Sequence, residues 1–155
     1  MKKKKIGTRK KVFVSGCYDI LHAGHIQFFK DAKVHGGHLT VCFASDAVLK
    51  LYKHRRSSLP EDNKALILGS LDMVDEVVKS SDLDPVFDFA GHIKRLRPDI
   101  LAVTDDDKHI PEKQKFCDER GIKLAVLPKR NPATKVSTSS IIAGIKEQSD
   151  SKKKT

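Results

Sequence analysis

Gly16-Cys17-Tyr18-Asp19-Ile20-Leu21-His22-Ala23-Gly24-His25 joins a β-branched run, Lys11–Gly16 (KVFVSG), to a segment with helical spacing. The run reads as a short strand ending in glycine. Cys17–Leu21 is then a loop. From His22 to about His35 the pattern is helical, with Ile26, Phe29, Ala32 and Lys33 in phase, and Gly36-Gly37 stops it. A strand feeding a helix through a short loop leaves backbone N–H groups free at the helix start, where they face an anion. Gly24 permits close approach. His22 and His25 lie three residues apart, so both leave one side of the first turn, where two imidazoles donate hydrogen bonds to phosphate oxygens as charge builds up.

The same rhythm continues outward. His38–Ala44 (HLTVCFA) is nearly all apolar, as a strand buried on both faces should be. Ser45-Asp46 can cap a helix ending near Lys53, and a basic loop, Lys53–Ser58, follows. Pro60-Glu61 opens a helix to about Leu71, with Ala65, Leu66, Leu68 and Leu71 expected inward. Asp75–Val78 reads as a strand, Val86–Leu96 as a helix started by Asp84-Pro85, and Asp99–Thr104 as a strand leading to the acidic loop Asp105-Asp106-Asp107. Pro111–Arg120 is a helix ended by Gly121, Ile122–Leu127 the last strand, Lys129–Lys135 a loop, and Ser137–Ile145 a final helix capped by Ser137 or Thr138. Strands alternate with helices throughout. The expected fold is α/β: a single doubly wound Rossmann-like domain with a mainly parallel five-stranded sheet, its ligand over the carboxyl ends of the strands.

The 155 residues suit one domain of ordinary soluble composition, 39% apolar and 32% charged. No apolar run approaches the roughly 20 residues of a membrane helix, and no signal-peptide core follows the basic N-terminus. Membrane insertion is not expected. Cys17, Cys42 and Cys117 are few, odd in number and widely spaced, which suggests a reducing, cytoplasmic setting and buried thiols. The net charge of +10 is confined to the ends: Lys2, Lys3, Lys4, Lys5, Arg9, Lys10 and Lys11 at one, Lys152, Lys153 and Lys154 at the other. The expected organisation is a basic disordered tail over 1–10, the folded domain over 11–148 and a second basic disordered tail over 149–155. Such tails are solvated ends that can also contact polyanions.

The stretch GCYDILHAGH resembles the HxGH nucleotidyltransferase superfamily, in particular its cytidylyltransferase-like branch. That branch includes glycerol-3-phosphate cytidylyltransferase, heptose 1-phosphate adenylyltransferase and archaeal FAD synthetase. The likeness runs from about Val12 to Ile145 and takes in Asp46, the loop with Lys53, and Val136-Ser137-Thr138-Ser139, which is similar to the branch's I-S-T-S segment. Tyr18 replaces the branch's usual phenylalanine, a mild change, and Lys64 stands where relatives often carry arginine; two further departures matter more. Asp105 stands in the region where a glycine is common after the fourth strand. The arginine and glycine that lead into I-S-T-S are absent in register, with Arg130 nearby across a longer loop.

The resemblance implies that His22, His25 and Lys53 are catalytic. It implies nucleotide contacts from Gly16, Cys17, Tyr18, Gly24, Asp106, Asp107, Ser137, Thr138 and Ser139, and acceptor contacts from Asp19, Lys50, Arg56 and Lys64. Mg²⁺ is implied with the NTP phosphates; no Cys/His spacing suggests a protein-only metal site. His35, His38, His54, His92 and His109 read as structural or surface residues. The implied partners are ATP or CTP and a phosphorylated small-molecule acceptor, with a homodimer also open. The wording of GCYDILHAGH, with SDA and Lys53 downstream, favours transfer of AMP from ATP to a sugar phosphate with release of pyrophosphate. CTP-dependent transfer to glycerol 3-phosphate or a similar alcohol phosphate is the alternative, then adenylylation of FMN. A non-catalytic nucleotide- or RNA-binding module is the reading from another class, motivated by the altered loops and basic ends.

Overall fold

The structure, a computed structural model, describes residues 9–130 and 136–153. The expected N-terminal tail over 1–8, most of the loop before Val136, and residues 154–155 lie outside the described residues. Five strands form one sheet: β1 (Lys10–Gly16), β2 (Gly37–Phe43), β3 (Glu76–Lys79), β4 (Ile100–Thr104) and β5 (Lys123–Leu127). Their order is β3-β2-β1-β4-β5 and every neighbouring pair is parallel. The helices are α1 (Ala23–Lys33), α2 (Asp46–Lys53), α3 (Glu61–Gly69), α4 (Ala90–Leu96), α5 (Ile110–Asp118) and α6 (Thr138–Lys152).

Alternation along the strands splits the core between two faces. Val12, Val14, Leu39, Val41, Phe43, Ile100 and Ala102 meet Phe29 and Ala32 of α1 and Leu68 of α3 on one face. Phe13, Cys42 and Leu101 meet Phe89, Ile93, Phe116 and Cys117 on the other. Phe13, Phe29 and Phe89 are fully buried, and each such side chain contributes on the order of 2–3 kcal/mol by leaving water. All three cysteines are free thiols.

Strand order reverses at β1 and β4, and this places the ligand crevice. The two strands pair only at Val12↔Ile100 and Phe13↔Leu101, so their carboxyl halves part and leave Ser15 and Thr104 facing one cavity.

Four local expectations are revised. Leu66 is 73% exposed, whereas Lys64 and Leu68 form the buried edge of α3, one turn apart. Helix α4 begins at Ala90 rather than Val86. The Asp84 carboxylate takes the N–H groups of Val86 and Phe87, at 2.8 and 2.7 Å, and so holds a turn there instead. Lys10 already belongs to β1. Helix α6 continues past Ile145 to Lys152, so most of the expected C-terminal tail is helical.

Candidate active site

The loop after β1 is folded around Tyr18. Its backbone is left-handed (φ 45°), which turns the buried ring back toward the strand end. A Cβ on Gly16 would lie 2.8 Å from that ring, so the glycine is required by packing. Tyr18 in turn sets its edge against His25 at 5.3 Å and Phe29 at 5.1 Å, locking the first turn of α1 to the core.

The two histidines form the helix cap themselves. His22 Nδ1 accepts from the Gly24 N–H at 3.2 Å, and His25 Nδ1 accepts a longer bond, 3.4 Å, from the His22 N–H. The rings stack at 3.8 Å. With each Nδ1 serving as acceptor, the neutral ring carries its proton on Nε2. Both imidazoles are held neutral. Burial, then Lys129, lowers the His22 pKa; burial, then His22 and Lys129, lowers that of His25 to about 4. The result is a fixed pair of N–H donors at a helix N-terminus.

These donors line a cavity of about 300 Å³ together with Ser15, Tyr18, Gly24, Thr104, Lys129, Arg130, Ser137 and Thr138. Asp106 ties its far wall together, accepting from Thr104 Oγ1 at 2.7 Å and from Lys129 Nζ at 2.6 Å. Arg130 is bound to Asp31 on α1. The cavity thus gathers two imidazoles, two cations, hydroxyls and two helix N-termini, a set suited to a polyphosphate. Among the described residues no group of three or more His, Cys, Asp and Glu is placed to hold a metal ion.

Ser137 and Thr138 both line the cavity, but the Ser137 Oγ is committed to capping α6, where it accepts from the Ser140 N–H at 3.1 Å. Capping and phosphate contact are therefore separable. Thr138→Val is expected to weaken binding of a nucleoside triphosphate several-fold more than that of the monophosphate. Ser137→Ala should instead cost about 1 kcal/mol of stability. Paired nucleotide titrations and melting curves check this; equal loss for both nucleotides in the valine variant would leave Thr138 with only a structural role.

A second cavity, about 450 Å³, opens on the other side of Ser15. Val48, Leu49, Tyr52 and Val86 give it apolar walls, Lys53, Lys108, Lys113, Asp88 and Asp107 add charge, and His109 adds an imidazole. Gly16 and Cys17 line this cavity rather than the first, as does Lys53. Asp106 and Asp107, adjacent in sequence, serve opposite sides.

Ser139 is exposed on α6, and Lys50 and Arg56 are exposed outside both cavities. Asp19 and Lys64, expected to touch an acceptor, are instead buried anchors, each 1% exposed. Asp19 accepts from Arg55 at 2.5 Å, from the Ser57 hydroxyl at 2.7 Å, and from the Ser58 N–H and hydroxyl at 2.5 and 3.1 Å. Lys64 Nζ donates to the carbonyls of Cys17 and Ala44, at 3.3 and 3.1 Å, and lies over the Phe43 ring. It clasps the ends of β1 and β2 under the site.

Thr104, Lys129, Asp88, His109 and Tyr52 went unread as site residues. Only the acidic loop after β4 and the basic pair before the last helix pointed toward any of them.

The family model described as Cytidylyltransferase-like matches residues 13–144. The FAD synthase of Pyrococcus horikoshii is 34% identical over 140 residues, covering 88% of this chain and 93% of the relative. That of Thermococcus kodakarensis is 35% identical over 149 residues, covering 94% and 95%. The bifunctional protein HldE of Helicobacter acinonychis is 39% identical over 105 residues, covering 66% of this chain and 22% of that longer protein. Among solved structures, the lipopolysaccharide core biosynthesis protein from Thermoplasma volcanium GSS1 has the same fold, with TM-score 0.67 and 24% identity over 81% of this chain and 99% of that one. With the HxGH turn, the parallel sheet and the matched family model in agreement, the chain belongs to the cytidylyltransferase-like family and is a nucleotidyltransferase.

Proposed function

We propose that the chain transfers AMP from ATP to the phosphate of FMN, giving FAD and pyrophosphate. The observation that carries this reading is the end-to-end similarity to FAD synthases, which covers nine-tenths or more of each relative. The second cavity supports it, since Val48, Leu49, Tyr52 and Val86 offer apolar walls to a fused aromatic ring. The wording of the HxGH stretch alone favours a sugar phosphate, but the HldE relative matches this chain over a shorter span, 66% of it.

In this reading the triphosphate occupies the cavity of His22, His25, Lys129 and Thr138, and the acceptor phosphate enters past Lys53 and Lys108. An FMN phosphate oxygen attacks the α-phosphorus in line; that P–O bond forms as the bond to pyrophosphate breaks, and pyrophosphate leaves with the charge. The attacking group is already anionic, so neither a general base nor a covalent enzyme intermediate is needed. The residues align the two phosphates and stabilise the growing charge. Mg²⁺ bound to the triphosphate would neutralise part of it. The cavity's own cations and hydroxyls suit an NTP that brings its metal with it.

Pyrophosphate release from a panel of ATP or CTP against FMN, a sugar 1-phosphate and glycerol 3-phosphate tests the assignment. ATP with FMN is expected to exceed every other pair by about tenfold or more in kcat/KM, as for a site fitted to its acceptor. Release with a sugar phosphate but not FMN would replace the flavin reading. No release with any pair would favour a binding module.

A further inference from the structure

The second cavity contains one carboxylate that accepts a hydrogen bond from no other described residue. Each acidic neighbour is committed. Asp82 holds Ser81 Oγ and the Gly91 N–H at 2.6 and 2.9 Å. Asp84 holds the N–H groups of Val86 and Phe87. Asp107 holds the His109 N–H and Lys113 Nζ at 2.8 and 2.6 Å. Asp88, half-buried on the cavity wall, accepts from no other described residue; its carboxylate has only its own amide N–H.

Its position is fixed by its neighbours. The Asp88 carbonyl accepts from the Ser81 and Asp82 N–H groups at 2.8 and 2.9 Å. On either side, Phe87 stacks on Phe116 at 4.7 Å and the fully buried Phe89 packs on Phe13 at 5.7 Å. A residue between two anchored rings cannot swing away at small cost, so the carboxylate is held on the cavity wall. Burial raises its pKa to about 6, against the opposing pull of Lys113, and at neutral pH it is mainly ionised. Lys113, the cation that acts on it, is already bonded to Asp107. Among the described residues no side-chain oxygen sealed from solvent lacks a partner, so the half-buried Asp88 carboxylate opens to the cavity it lines, where a ligand's donors can take the place of solvent.

We propose that Asp88 is an acceptor-specificity residue, whose carboxylate accepts hydrogen bonds from hydroxyl or N–H donors on the non-phosphate part of the acceptor. It also orients the acceptor. The carboxylate repels a phosphate, whereas Lys53 and Lys108 on the same cavity attract one. The phosphate end is therefore directed to the lysines and the donor-bearing end to Asp88. Both a flavin, with its ribityl hydroxyls and ring N–H, and a sugar phosphate carry such donors. The inference rests on the second cavity being the acceptor site.

The test is equilibrium titration of wild type, Asp88→Ala and Asp88→Asn with FMN and with riboflavin, followed by flavin fluorescence, and with ATP. Asp88→Ala is expected to weaken FMN and riboflavin alike by roughly ten- to hundredfold, the range for hydrogen bonds to a charged group. ATP affinity should stay within about twofold, and Asp88→Asn, which keeps one acceptor oxygen, should lose less. A purely structural role would lower the melting temperature and weaken ATP too. If the alanine variant does not fold, the asparagine variant decides. FMN affinity within twofold of wild type in folded variants overturns the proposal. If wild type ignores FMN but adenylylates a sugar phosphate, the flavin reading fails on its own; the same variants are then compared by KM for that phosphate, where a tenfold rise supports Asp88 and no change overturns it. A wild type that takes no phosphorylated acceptor overturns both.

Discussion

Replacing His22 or His25 by alanine is expected to lower kcat about a hundredfold or more, the usual consequence of removing one donor aimed at transition-state charge. Each ring uses Nδ1 to accept a backbone N–H and so directs its remaining proton, on Nε2, outward. The fixed tautomer separates this pair from surface histidines. Because the donors matter most when charge has shifted toward the leaving pyrophosphate, the loss should fall mainly on kcat, with KM for ATP changing less. The rings are only partly buried, so the variants should fold. The pH dependence of stability is a second readout. The His25 pKa is about 4 folded against 6.5 unfolded, so the unfolded chain binds more protons between those values. The stabilisation from keeping His25 neutral is complete above pH 6.5 and is lost as pH falls toward 4. Chemical denaturation across that window should show a shallower slope for His25→Ala than for wild type. Near-normal kcat in both purified variants would remove the assignment of the active site.

Asp19→Ala carries the second large effect. Its carboxylate is the hub for the loop between α2 and α3, taking four hydrogen bonds from Arg55, Ser57 and Ser58. Truncation leaves those donors without their partner and opens a void at a position that is 1% exposed. We expect a loss of about 2–4 kcal/mol, or more than tenfold in the folding equilibrium. Asp19→Asn, isosteric and uncharged, should lose less. Burial alone would raise the Asp19 pKa, but the hydrogen bonds from Ser57, Arg55 and Ser58 outweigh it and hold the group at about 2, below its unfolded value of 3.8. Its stabilisation is therefore present above pH 3.8 and is lost as pH falls from there toward 2. Denaturant titrations at pH 7 and below pH 4 check both points. An alanine variant as stable as wild type would show that the loop does not depend on Asp19.

The sheet was legible because its strands are buried on both faces. HLTVCFA and DILAVT carry few polar residues, and the intervening segments carry caps and glycines that fix their ends, such as Ser45 before α2 and Gly121 (φ 65°) after α5. The phosphate cavity was half legible. His22, His25 and Thr138 sit in short motifs whose local geometry places them, whereas Thr104 and Lys129 reach the cavity only because β4 and β5 end beside α1. The second cavity draws on four separate segments, from Ser15 to Lys113, and no single stretch announces it. Asp19 and Lys64 were misplaced for a different reason. Charged residues are usually exposed, and their burial here depends on tertiary partners, the loop at Arg55–Ser58 for one and two strand-end carbonyls for the other, that no local pattern specifies.

The most direct measurement follows the α-phosphorus. Purified protein is given ATP labelled at that atom together with FMN and Mg²⁺, and the products are separated over time. The label is expected in FAD, with one pyrophosphate released per FAD formed, no label on the protein, and loss of the reaction in His25→Ala. Label retained in ATP with every acceptor tried, or found covalently on the protein as an intermediate, would contradict direct transfer.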